Sequence, residues 1–72
     1  MKLLYLLTLI RFNQNIVIMK PEDDNPNIFN SVYVGKVASI ELDSSLIMRR
    51  VGLVYVDDGA IWIELKEREG DE

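Results

Sequence analysis

The stretch Val51-Gly52-Leu53-Val54-Tyr55-Val56-Asp57-Asp58-Gly59-Ala60-Ile61-Trp62-Ile63-Glu64-Leu65-Lys66 decides the fold of this chain. Two runs rich in β-branched and aromatic residues flank Asp58-Gly59. That dipeptide is the signature of a two-residue type I′ turn, whose central residues both need positive φ. The turn sets a register in which Val56 faces Ile61, Tyr55 faces Trp62, Val54 faces Ile63 and Leu53 faces Glu64. Because strand side chains alternate, one face collects Val54, Val56, Ile61, Ile63 and Leu65. The other collects Val51, Leu53, Tyr55, Trp62, Glu64 and Lys66.

Working backward, the period of two extends to Val32, interrupted at Asp43-Ser44-Ser45. A three-residue loop there places Leu42 opposite Leu46, Ile40 opposite Met48 and Val34 opposite Val54, which keeps the apolar positions on one face; a one-residue slip would invert the first strand. The expected fold is therefore mainly β, a small antiparallel meander with strands at about residues 32–42, 46–56 and 60–66. In this register the second face is centred on Tyr33, Val37, Val51, Leu53, Tyr55 and Trp62, a composition too apolar for open solvent. Gly35 and Gly52 fall inside strands, where glycine marks a bulge, a bend or a close backbone approach.

The segment before the meander reads in two ways. Residues 2–12 have a polar stripe of Tyr5, Thr8 and Arg11, continued at Asn15, as in a helix with leucines elsewhere. Alternatively they form a strand that turns at Asn13-Gln14-Asn15 and returns as Ile16-Val17-Ile18-Met19, since asparagine tolerates the backbone of tight turns. Leucine content favours the short helix; the turn and the β-branched return favour the hairpin, toward which the balance tips. Either can cover one sheet face or help close a small barrel. Met19-Lys20-Pro21-Glu22 also reads as the start of a shorter chain for which the leading segment is dispensable. Met1-Lys2 and the leucines after it resemble the start of a signal peptide, but no small-x-small cleavage site follows. The run is also far short of the roughly 20 apolar residues that span a bilayer. The expectation is no membrane span and a cytoplasmic location.

Residues 20–31 hold both prolines and three asparagines and read as a loop. Asp23-Asp24-Asn25 lacks the glycine and terminal glutamate of a calcium loop. Residues 67–72 are a charged tail. With 72 residues the chain makes one small domain, 1–72, at a size where one core usually leans on disulfides, a metal or a partner. It has no cysteine and no histidine, so disulfides and nitrogen- or sulfur-ligated metal sites are excluded, no cofactor is expected, and association remains.

Chemistry is equally constrained. Acid–base work would fall to carboxylates, Lys36 or a tyrosine, and nucleophilic work to Ser44 or Ser45, which sit in a turn where hydroxyls bond nearby backbone. No glycine loop cradles phosphate. Tyr33, Tyr55 and Trp62 could stack bases with Lys36, Arg49 and Arg50 as a basic flank, giving a single-stranded nucleic-acid-binding barrel as the alternative reading. A formal charge of −4 weighs against it. The reading preferred is a noncatalytic protein-interaction module, homodimeric, that binds a partner protein through the apolar face, as an accessory subunit or an inhibitor of the kind phages use. Trp62 and its neighbours read equally well as core beneath residues 3–19.

Overall fold

The computed structural model describes residues 1–41 and 44–66. In chain order these are helix α1 (Leu3–Leu9), strand β1 (Asn15–Pro21), strand β2 (Phe29–Lys36), a 3₁₀ turn at Val37–Ser39, a single helical turn α2 (Ser44–Ile47), strand β3 (Val51–Asp57) and strand β4 (Ala60–Leu65). The fold is mainly β, as the alternation requires. The strands form one four-stranded sheet in the order β2-β1-β4-β3.

The β3–β4 hairpin has the register set by its turn, with Val56 on Ile61, Tyr55 on Trp62, Val54 on Ile63 and Leu53 on Glu64. Asp58 and Gly59 both take positive φ, 52° and 75°, as a type I′ turn demands. A Cβ at Gly59 would meet nothing within 4 Å, so substitution there costs backbone strain alone. Gly59→Ala is expected to destabilise by about 1–2 kcal/mol, read as a lower urea midpoint at unchanged slope.

The rest of the sheet departs from a meander. β2 does not pair with β3; the two lie at opposite edges with β1 and β4 between them. Val34 stands opposite Val17, not Val54, and Tyr33 stands opposite Ile18. β1 pairs antiparallel with β2 and parallel with β4, so the sheet is mixed, and it is open, not closed into a barrel. The reason lies in Ile16-Val17-Ile18. All three are buried, Ile16 and Ile18 under α1 and Val17 between Val34 and Trp62 of the flanking strands, which only a central strand allows, and such a strand displaces a weaker pairing between β2 and β3. Residues 37–41 and 46–50 are not strand: they form the 3₁₀ turn, α2 and the connections beside them. Leu42, Asp43 and the tail 67–72 lie outside the described residues.

Both readings of the leading segment hold in part. Leu3–Leu9 is helical, and the β-branched run after Asn15 is a strand, but no hairpin joins two strands there. Residues 20–31 are likewise divided: β1 runs through Pro21, β2 starts at Phe29, and only 22–28 is loop. Glu22 N–H bonds the Ile28 carbonyl at 2.8 Å, and Asn25 closes the turn by accepting from Asn27 N–H. Pro21 is tolerated because the pairing of β1 with β4 ends at Met19.

All helical elements lie on one side of the sheet. Leu3 and Leu7 of α1 pack with Ile16, Ile18, Ile63 and Leu65 to form the core, and Leu6, Ile10, Tyr33, Val37, Ile40, Leu46, Val51 and Ile61 surround it. The chain entering α1 is itself tied to the sheet: Val51 N–H bonds the Met1 carbonyl and Leu3 N–H the Arg49 carbonyl, each at 2.8 Å. No helix among the described residues is long and apolar enough to cross a membrane.

Candidate functional site

The register decides which side chains share the uncovered side. Val34, Val17, Trp62 and Tyr55 form one row across β2, β1, β4 and β3, and Met19, Glu64 and Leu53 form the next. No described element lies over this side. Val17 is buried within the row, whereas Val34 and Leu53 are exposed and Trp62 is half-buried.

Of the six residues the sequence grouped together, Leu53, Tyr55 and Trp62 do meet on this face. Tyr33, Val37 and Val51 do not; they pack against the core on the opposite side. Tyr33 follows its partner Ile18 to that side, and its hydroxyl reaches over Gly35 to donate to the Lys36 carbonyl. Gly35 has φ 150°, and a Cβ there would stand 2.9 Å from that hydroxyl oxygen, so the glycine makes room for the ring. Val37 lies in the 3₁₀ turn, outside any strand. Val51 is diverted by a β-bulge: Val51 faces Leu65 and Leu53 faces Glu64, so Gly52 is an extra residue that reverses the alternation. Val17 and Val34 complete the row in their place. The consecutive apolar run Ile16-Val17-Ile18 is the signal for them, because a strand without alternation needs apolar neighbours beside it on its second face as well.

Tyr55 and Trp62 are fixed as a pair. Their rings stack with centroids 6.0 Å apart and planes 9° from parallel. Trp62 Nε1 donates to the Asp57 carbonyl at 3.2 Å, which holds the indole across the end of β3. Partial burial first, then the charge of Glu64 and the phenol's hydrogen bond to it, then the charge of Asp57, raise the Tyr55 phenol above its ordinary value of 10.0. Tyr55 is therefore neutral and a hydrogen-bond donor throughout the physiological range.

The strand carrying Tyr55 is open in a second sense. β3 is a sheet edge, and Leu53, Val54, Tyr55 and Val56 keep 52, 43, 37 and 72% of their surface exposed. Val54 and Val56 point to the core side but lie beyond the cover of α1. A separate apolar surface is formed by the outward side chains Leu4, Tyr5 and Leu9 of α1 with Phe12 beyond it. Of the basic flank, Arg49 donates through Nη2 to the Lys66 carbonyl at 2.6 Å, and Lys36 lies at the far edge on β2. No group of three or more acidic, histidine or cysteine side chains that could hold a metal ion occurs among the described residues. No protein-family model, curated protein or solved structure matches the chain.

Proposed function

We propose that the chain is a noncatalytic protein-interaction module that docks a partner protein on the uncovered sheet face of Leu53, Tyr55 and Trp62. It would act as an accessory subunit or as an inhibitor of a larger protein, with the cytoplasm as its site of action. The observation that carries this reading is the one-sided cover of the sheet: α1 and its neighbours bury one side, while an apolar row, Val34-Val17-Trp62-Tyr55, crosses the other with no described element over it. An apolar centre with a charged margin is the composition of an interface core and rim. Glu64 and Asp57 close to the aromatic pair make the same face unfavourable to a phosphate backbone, which weighs against stacking of nucleic-acid bases there.

The test is paired affinity capture from the native host with the wild-type chain and Val34→Glu. Val34 is 67% exposed on the far edge of the face, so the variant is expected to keep the wild-type circular dichroism. One protein should be retained by the wild type and released by the variant. Equal retention by both would place the partner elsewhere, α1 being the next apolar surface.

A further inference from the structure

We propose that the chain dimerises by antiparallel pairing of β3 with β3 of a second copy, about a two-fold axis at Tyr55. The sheet has two edges, and they differ. β2 is blunted by a β-bulge, where the register with β1 shifts between Ile18 and Met19, and by Asn30, Ser31 and Lys36 along its length. β3 has none of these protections in Leu53–Val56: no charge, no proline, and exposure on both faces. A strand edge of that composition is a template for another strand.

Hydrogen-bond alternation fixes which atoms face outward. Asp57 and Ala60 flank a two-residue turn and so form a hydrogen-bonded pair, as do Tyr55 with Trp62 and Leu53 with Glu64. Val54 and Val56 are the non-hydrogen-bonded positions, and their N–H and C=O groups point away from β4. A second β3 satisfies them when Val54 pairs with the partner's Val56 and Val56 with the partner's Val54. Tyr55 then stands opposite the partner's Tyr55 in a non-hydrogen-bonded pair.

The free edge is also cut to that length. At its start, Met1 and Leu3 already occupy Val51 and Arg49, and Lys2 bridges Arg50. What remains open among the described residues is Leu53–Asp57, which is symmetric about Tyr55. Sliding the copies two residues one way would bring the partner's Asp57 against Val51, where Met1 is bonded, and the other way would set Val54 against the partner's Asp58, in the turn outside its strand.

Charge selects a second copy over an unrelated strand. The acidic turn Asp57-Asp58 closes one end of the edge, and Lys2 stands at the other. An antiparallel copy brings each acidic end to the basic end of its neighbour twice, within the roughly 10 Å over which charges act at ordinary salt; a parallel copy would set acid on acid. The product is a continuous eight-stranded sheet whose two uncovered faces merge around the tyrosine pair. This dimer stands independently of the docking reading, since Val34→Glu removes nothing from the β3 edge.

Cysteine cross-linking reads the register directly, because the chain has no cysteine of its own. Facing residues of a non-hydrogen-bonded pair lie about 4.5 Å apart at Cα, within the span of a disulfide. Under mild oxidation Tyr55→Cys is expected to give about tenfold more linked dimer than Val34→Cys on the opposite edge. Equal yields, or faster linkage by Leu53→Cys than by Tyr55→Cys, would overturn the proposal. Sedimentation of the unmodified chain gives a second measure: it should be dimeric at high micromolar concentration, and a monomer there also overturns it. Val56→Pro, which removes an outward N–H and no bond to β4, should raise the dimer dissociation constant by about tenfold or more with the circular dichroism unchanged.

Discussion

A chain that begins at Met19 is expected to be unfolded. Removing residues 1–18 takes away Leu3, Leu7, Ile16, Val17 and Ile18 and leaves Ile63 and Leu65 of the hydrophobic core formed by the described residues. Each lost residue contributes about 1.5–3 kcal/mol by its burial, and a domain of this size has only roughly 3–5 kcal/mol of net stability. The topology makes the loss worse than the sum. β1 stands between β2 and β4, so without Asn15–Ile18 β2 keeps only its pairing with Met19–Pro21, β4 keeps only Met19, and the β3–β4 hairpin is left nearly alone, which is marginal in water. The truncated chain should show coil circular dichroism and no cooperative urea transition. A sigmoidal transition would mean that the leading segment is an appendage, as a start at Met19 suggests.

That result bears on what could be read from sequence. The β3–β4 hairpin is legible from the turn out to Leu53 and Glu64 because what fixes it there is local: Asp58-Gly59 supplies two positive-φ positions, and the register follows by counting outward as far as the bulge at Gly52. The pairing of β2 was not, because the alternation in 32–36 says that a strand exists and not which strand lies beside it. Asp43-Ser44-Ser45 lacks a glycine for a tight turn, and Ser44–Ile47 forms a helical turn instead, which frees the two apolar runs from being neighbours. The information that was present and outweighed is Ile16-Val17-Ile18. Three apolar β-branched residues in succession would leave Val17 exposed on an edge strand, whereas between two strands Val34 and Trp62 enclose it, so the run belongs at the centre of a sheet. Once β1 is placed there, Tyr33 must follow Ile18 to the core side.

The candidate site divides along the same line. Leu53, Tyr55 and Trp62 were placed together by the hairpin register and are together in the fold. Val51 was placed with them by unbroken alternation, and the bulge at Gly52 sends it to the other side. A strand glycine announces that alternation can fail, but not in which direction the side chains beyond it turn. The openness of β3 at the sheet edge was out of reach for a different reason: strand order is a property of the whole chain, and a meander would have buried the second strand between two others.

Ile63→Ala is expected to bring the protein to the brink of unfolding. Ile63 is fully buried on β4, between Ile18 of β1 and Val54 of β3, under the cover that Leu3 and Leu7 provide. Truncating a residue so enclosed costs the transfer energy of the lost carbons plus a cavity that the rigid sheet cannot close, together about 2–5 kcal/mol. That range overlaps the whole of the roughly 3–5 kcal/mol that a single small core supplies. Val34→Ala removes apolar carbons from a residue that is 67% exposed, and should change stability by no more than about 0.5 kcal/mol. Trp62 is the only tryptophan and is stacked on Tyr55, so its fluorescence reports both variants in urea at one protein concentration. A baseline already sloping into the transition for Ile63→Ala, beside a wild-type midpoint for Val34→Ala, is the expected pair. Equal midpoints would show that the packing of α1 on the sheet contributes little, and with it the one-sided cover that leaves the face of Tyr55 and Trp62 bare.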